Sequence, residues 1–157
     1  MASAVTTQHI ASNMALLSYD HDPGSTSAVI TSPDGGTTKR VVPLALYEWF
    51  GVAAMTSVSA SSSGITKVEI VGCTDSTGAN PTVVVDSGTV AADAVGDFVF
   101  VECQASQVKE VGDAAGLTLT HVAARLTCSN SGDEAVVTYL RLRPKFPQKD
   151  LTTNVIS

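Results

Sequence analysis

Short apolar runs rich in Val, Thr and Ala alternate with turn signals roughly ten residues apart, and this spacing constrains the fold more than any other feature. Asp22-Pro23-Gly24 is one such signal, because proline presets φ and glycine accepts φ > 0. "PDGG" is another, and the flanking "SAVITS" (27–32) and "TTKRVVP" (37–43) read as a hairpin. Further strands are expected at "MALLSY" (14–19), "ITKVEIVGCT" (65–74), "PTVVVDS" (81–87), "DFVFVECQ" (97–104), "LTLTHVAARLTC" (117–128) and "EAVVTYLRLR" (134–143). A short helix or 3-10 turn is expected over "ASQVKEVGDAAG", ending at Gly112 or Gly116, with Ser106 as its N-cap. The pattern predicts an all-β chain: a β-sandwich or jelly-roll-like barrel of about eight or nine strands with one short helix.

The run "LALYEWFGVAAMTSVSAS" (44–61) reads as a long strand, since Gly51 and the serines disfavour a helix. Phe50, Val52 and Ala54 lie on one face, and Trp49, Gly51, Ala53 and Met55 on the other. Two small apolar faces imply close packing on both sides. Phe50, Val52 and Ala54, with Phe98 and Phe100, are the candidates for subunit packing.

At 157 residues the chain fits one domain, read as 14–143, with extended arms at 1–13 and 144–157. Charged residues are only 15% of the sequence, against about 25% in ordinary soluble domains, so much of the surface is weakly hydrated. The net charge of −6 argues against a general nucleic-acid binder, which needs a basic excess to displace phosphate counterions. No apolar run approaches the roughly 18 residues that a membrane helix needs. The first residues lack the basic and apolar regions of a signal peptide, so synthesis in a cytoplasm without export is expected.

The last two strands, if joined as a hairpin about Gly132, put Val122, Ala124, Leu126 and Cys128 on one face with Val136, Thr138, Leu140 and Leu142. The other face then carries a stripe of His121, Arg125, Tyr139, Arg141 and Arg143. That stripe is either a solvated back or a contact for an acidic partner surface, where arginine suits carboxylate pairing.

Catalytic motifs are sparse. Ser106 and Lys109 form an S-x-x-K, but its companion motifs are missing. Asp20, His21 and Asp22 adjoin in a turn, where neighbours rarely converge on one ion, and no aspartate spacing supports a calcium loop. The three cysteines lack metal-ligand spacing and sit in apolar runs, as buried free thiols do. No cofactor is expected.

The segment "DFVFVECQASQVKEVGDAAGLTLTHVAARLTCSNSGDEAVVTYLRLRPKFP" (97–147) resembles tailed-bacteriophage virion accessory proteins of the capsid decoration or cement type. The similarity is one of order: an apolar strand, a short helical step, a V-x-A-R-L-T strand, a polar turn and a closing V-x-Y-L-R-x-R-P strand. The resemblance implies a non-enzymatic structural protein on the virion capsid surface, often trimeric, that binds the major capsid protein or another virion protein. Such a protein stabilises the head by burying apolar area across subunit boundaries. The alternative is a carbohydrate- or receptor-binding β-sandwich of a phage fibre, tail or bacterial surface, which calls for an exposed aromatic platform or an ordered Ca²⁺.

Overall fold

The computed structural model describes residues 14–32, 38–60 and 62–144. The strands are β1 (Met14–His21), β2 (Val29–Ile30), β3 (Val42–Pro43), β4 (Tyr47–Val58), β5 (Ile65–Cys73), β6 (Thr82–Asp86), β7 (Phe98–Gln104), β8 (His121–Cys128) and β9 (Glu134–Pro144). A 3-10 turn (Leu44–Leu46) precedes β4, and one helix, α1 (Ala105–Ala115), follows β7 directly. The expected "PDGG" turn and both arms lie outside the described residues, apart from Pro144.

The strands form two sheets, one ordered β1-β9-β4-β7 and the other β2-β8-β5-β6, with β3 also pairing β8. The expected β-sandwich or jelly-roll-like barrel is overturned. Both sheets are open and unclosed, and an 11-residue helix makes the chain mostly β rather than all-β. Closure needs edge strands that pair with one another. Here β1 and β7 stay as edges, β7 runs straight into α1, and β2 and β3 are only two residues long.

The sheets share one core. Phe50, Val52 and Ala54 of β4 and Val137 and Tyr139 of β9 pack with Val68 and Ile70 of β5 and Val122, Ala124 and Leu126 of β8. Alternation along each strand sends these residues inward. The expected β8–β9 hairpin does not form, because the two strands belong to different sheets: β8 pairs β5, and β9 pairs β1 and β4. The five residues between them turn a corner, held by Asp133, whose carboxylate accepts from the Asn130 and Ala60 N–H groups at 2.8 Å each. The inward face of β9 is correspondingly Ala135, Val137 and Tyr139, not Val136, Thr138 and Leu140.

The start of α1 is set by Gln104, not Ser106: Gln107 Oε1 accepts from the Gln104 N–H at 2.7 Å while the Gln104 side chain accepts from the Gln107 N–H. The helix stops at Gly116 in the left-handed conformation. Gly112 lets it seat closely, since a Cβ there would meet the Leu117 carbonyl oxygen at 2.8 Å.

Candidate interaction surface

The outer face of the four-stranded sheet is built by register. Phe98 lies beside Met55, which lies beside Val136; Phe100 beside Ala53 and Thr138; Glu102 beside Gly51 and Leu140; Gln104 beside Trp49 and Leu142. Cross-strand partners share a face. This face carries no lysine or arginine along those rows, and no element of the described chain covers it. Phe98 is 71% exposed, Phe100 47% and Met55 39%. Half-buried Ala53, Val136, Leu140, Trp49 and Leu142 continue the surface. Phe100 lies over Gly51, where a Cβ would meet its ring at 3.1 Å, so glycine allows the ring to lie on the strand. Beside Phe98, an open groove of about 620 Å³ runs along Val90, Gly96, Phe98 and Phe100.

Of the residues expected to pack subunits together, only Phe98 and Phe100 lie on this face. Phe50, Val52 and Ala54 are buried in the chain's own core. Their β4 neighbours on the opposite side, Met55 and Ala53, take their place beside Phe98 and Phe100. The signal was present in the sequence, in the second apolar face of residues 44–61.

The expected basic stripe is dispersed. Arg125, on the outer face of the other sheet, donates from Nε to Glu69 Oε2 at 2.6 Å. Glu69 also lies 3.7 Å from Lys67 Nζ, which reaches Asp86 at 2.8 Å, making a chain of alternating charges. His121, on the same face, holds Thr120 Oγ1 at 2.8 Å through Nδ1. Arg141 turns to the inner side at the sheet's end and lies over the Tyr47 ring, 5.1 Å from its centroid. Arg143 is exposed, in a separate cleft with Trp49 and Lys109.

Tyr139 is fully buried and joins the two sheets. Its hydroxyl accepts from the Ala124 N–H of β8 and lies 3.2 Å from both the Arg40 carbonyl oxygen and Thr31 Oγ1. Thr31 Oγ1 continues to the Tyr19 hydroxyl at 2.5 Å, and the Tyr19 and Tyr139 rings stack at 5.9 Å. Burial raises the pKa of both phenols. The network fills the gap along β8 between its short partners β2 and β3.

The chemistry-bearing groups are occupied or shielded. Burial pushes the Cys103 thiol up to about 12 and those of Cys73 and Cys128 to about 11, so none is a ready thiolate. Ser106 Oγ donates to Gln104 Oε1 at 3.3 Å rather than to Lys109. His21 turns inward and is buried, while Asp22 accepts from the Gly24 N–H at 2.9 Å in the turn. Among the described residues no three His, Cys, Asp or Glu side chains gather as metal ligands. No protein-family model matches the chain, and no curated protein matches it in sequence.

Proposed function

We propose that this chain is a non-enzymatic virion structural protein of the capsid decoration or cement kind, which self-associates through the outer face of its four-stranded sheet and in that form binds across major capsid protein subunits. The observation that carries the reading is the uncovered apolar face centred on Phe98, Phe100 and Met55. A phenylalanine offers about 150–250 Å² of contact area, so these residues and their half-buried neighbours expose on the order of 400 Å². Patches of that size on single chains are often functional. A standard interface takes about 800 Å² from each partner, about 65% of it apolar between identical subunits, so the face supplies about half of the whole and most of the apolar part.

The virion assignment rests on the resemblance of residues 97–147. The exposed phenylalanines favour a protein partner over a sugar at this face, because their direct cross-strand partners, Met55 and Ala53, offer no side-chain hydrogen bonds and the Thr138 hydroxyl beyond Ala53 is engaged with Ser18. At roughly 25 cal/mol per Å² the burial is ample in gross terms, and repetition over a symmetric shell adds avidity to a modest net affinity. Co-sedimentation with assembled major capsid protein shells tests the reading. The wild-type chain is expected to pellet with the shells and Phe98→Glu to remain in the supernatant; wild-type chain left in the supernatant at saturating shell concentration would contradict it.

A further inference from the structure

At the end of the same sheet, Glu48, Trp49, Gln104, Ser106, Lys109 and Arg143 line a cleft of about 360 Å³. Among the described residues Lys109 and Arg143, like Lys39 elsewhere on the surface, have no ion-pair partner, whereas Lys67 and Arg125 are paired with carboxylates and Arg40 and Arg141 lie over tyrosine rings. Two uncommitted cations beside the chain's only tryptophan stand out on a protein of net charge −6. Arg143 is held there at φ 53°, a conformation an arginine rarely adopts.

We infer that this cleft binds a carboxylated sugar, a hexuronic or sialic acid residue. Each part of such a ligand has a counterpart. The indole of Trp49 suits the apolar face of a pyranose ring, an amphipathic surface against an amphipathic ligand. Lys109 and Arg143 suit its carboxylate, arginine through paired N–H donors. Ser106 and Glu48 suit its hydroxyls, Glu48 as an acceptor. The volume falls at the small end of ligand sites, the size of a single sugar rather than a long chain. Glu48 also bears on the choice of ligand: a second carboxylate, as in an acidic peptide, meets its repulsion, whereas the several hydroxyls of a sugar can donate to it. The cleft shares Trp49 with the far end of the phenylalanine face, so Phe98→Glu is titrated beside the wild type and should bind the same sugars whether or not the chain self-associates.

Because Trp49 is the only tryptophan, its emission reports the cleft it lines with no second indole contributing. The full chain is titrated with methyl glucuronide and with the methyl glycoside of N-acetylneuraminic acid, against methyl glucoside and a diglutamate peptide. A saturable change at millimolar concentration is expected with at least one acidic sugar. Methyl glucoside, lacking the charged contacts, should bind about tenfold more weakly or worse. Lys109→Gln/Arg143→Gln should abolish the change while keeping the wild-type urea midpoint, since both side chains are exposed. No saturable response to either acidic sugar would overturn the inference. So would equal binding of methyl glucoside or of the peptide, or a response that survives in the folded double variant.

Discussion

Removing the Tyr139 hydroxyl leaves the Ala124 N–H without its partner inside the protein, along with a break in the link to Arg40 and Thr31. Tyr139→Phe keeps the ring and its stacking on Tyr19, so the loss isolates the polar network. An orphaned buried donor costs about 1–3 kcal/mol, and urea unfolding should show an unchanged slope with the midpoint lowered by that cost divided by the slope. His21 gives a second residue-scale test. Its ring is buried, with Nδ1 3.3 Å from the Ser32 backbone and Nε2 unpartnered among the described residues. Burial lowers its pKa below the ordinary 6.5, outweighing the Ser32 bond and the nearby Asp22. The unfolded chain therefore takes up the proton first. The stability that neutral His21 contributes is fully present above 6.5 and is lost as pH falls from there toward the folded-state pKa. Urea midpoints between pH 7 and 5 should fall accordingly. His21→Gln should flatten the His21 part of that slope.

Helix α1 offers the test at the scale of elements. Alanine is the better helix former by about 1 kcal/mol, so Gly112→Ala would stabilise a helix free of tertiary contacts. Here the added methyl meets the Leu117 carbonyl oxygen at 2.8 Å and Leu119 Cγ at 3.0 Å. Overpacking of that kind costs about 1–3 kcal/mol, so the substitution should destabilise on balance, as read by thermal or urea unfolding. The elements also show what a sequence makes legible. Strand positions from β4 to β9 followed from alternation and turn residues, and β4 was readable as one long strand from its two apolar faces. The pairing of β8 with β9 was not. Alternation fixes which residues share a face but not which strand lies alongside, and a five-residue link permits a corner as well as a hairpin. The two arginines of β9 then inverted its faces: Arg141 and Arg143 suggested an outer side for Val137 and Tyr139. At the sheet's end, however, Arg141 can lie over Tyr47 while Val137 and Tyr139 point inward. Likewise "SAVITS" and "TTKRVVP" read as strands paired with each other, yet each pairs two residues with β8, and the Arg40 N–H bonds the Thr31 carbonyl between them.

At the scale of the whole molecule, two open sheets share a core, and the four-stranded one has an apolar side that no described element covers. The sequence showed apolar character on both sides of β4 and singled out Phe98 and Phe100. It could not tell which side of β4 the chain itself covers, because Phe50, Val52 and Ala54 are as apolar as Ala53 and Met55. Only the register settles it, by placing Met55 beside Phe98 and Ala53 beside Phe100. The cleft of Trp49, Lys109 and Arg143 was hidden for a similar reason, since it assembles from β4, α1 and β9. Self-association through the exposed face is most directly tested by absolute mass in solution, from size-exclusion chromatography with light scattering on wild type and Phe98→Glu. Phe98 is 71% exposed in the single chain, so the variant should still fold and unfold in one cooperative transition, its midpoint lowered only by the lost association. The expected wild-type mass is a multiple of 16.1 kDa, three times that value for a trimer, falling to a single chain in Phe98→Glu. A wild-type mass of one chain at every concentration, or an oligomer that Phe98→Glu leaves intact, would contradict self-association through this face.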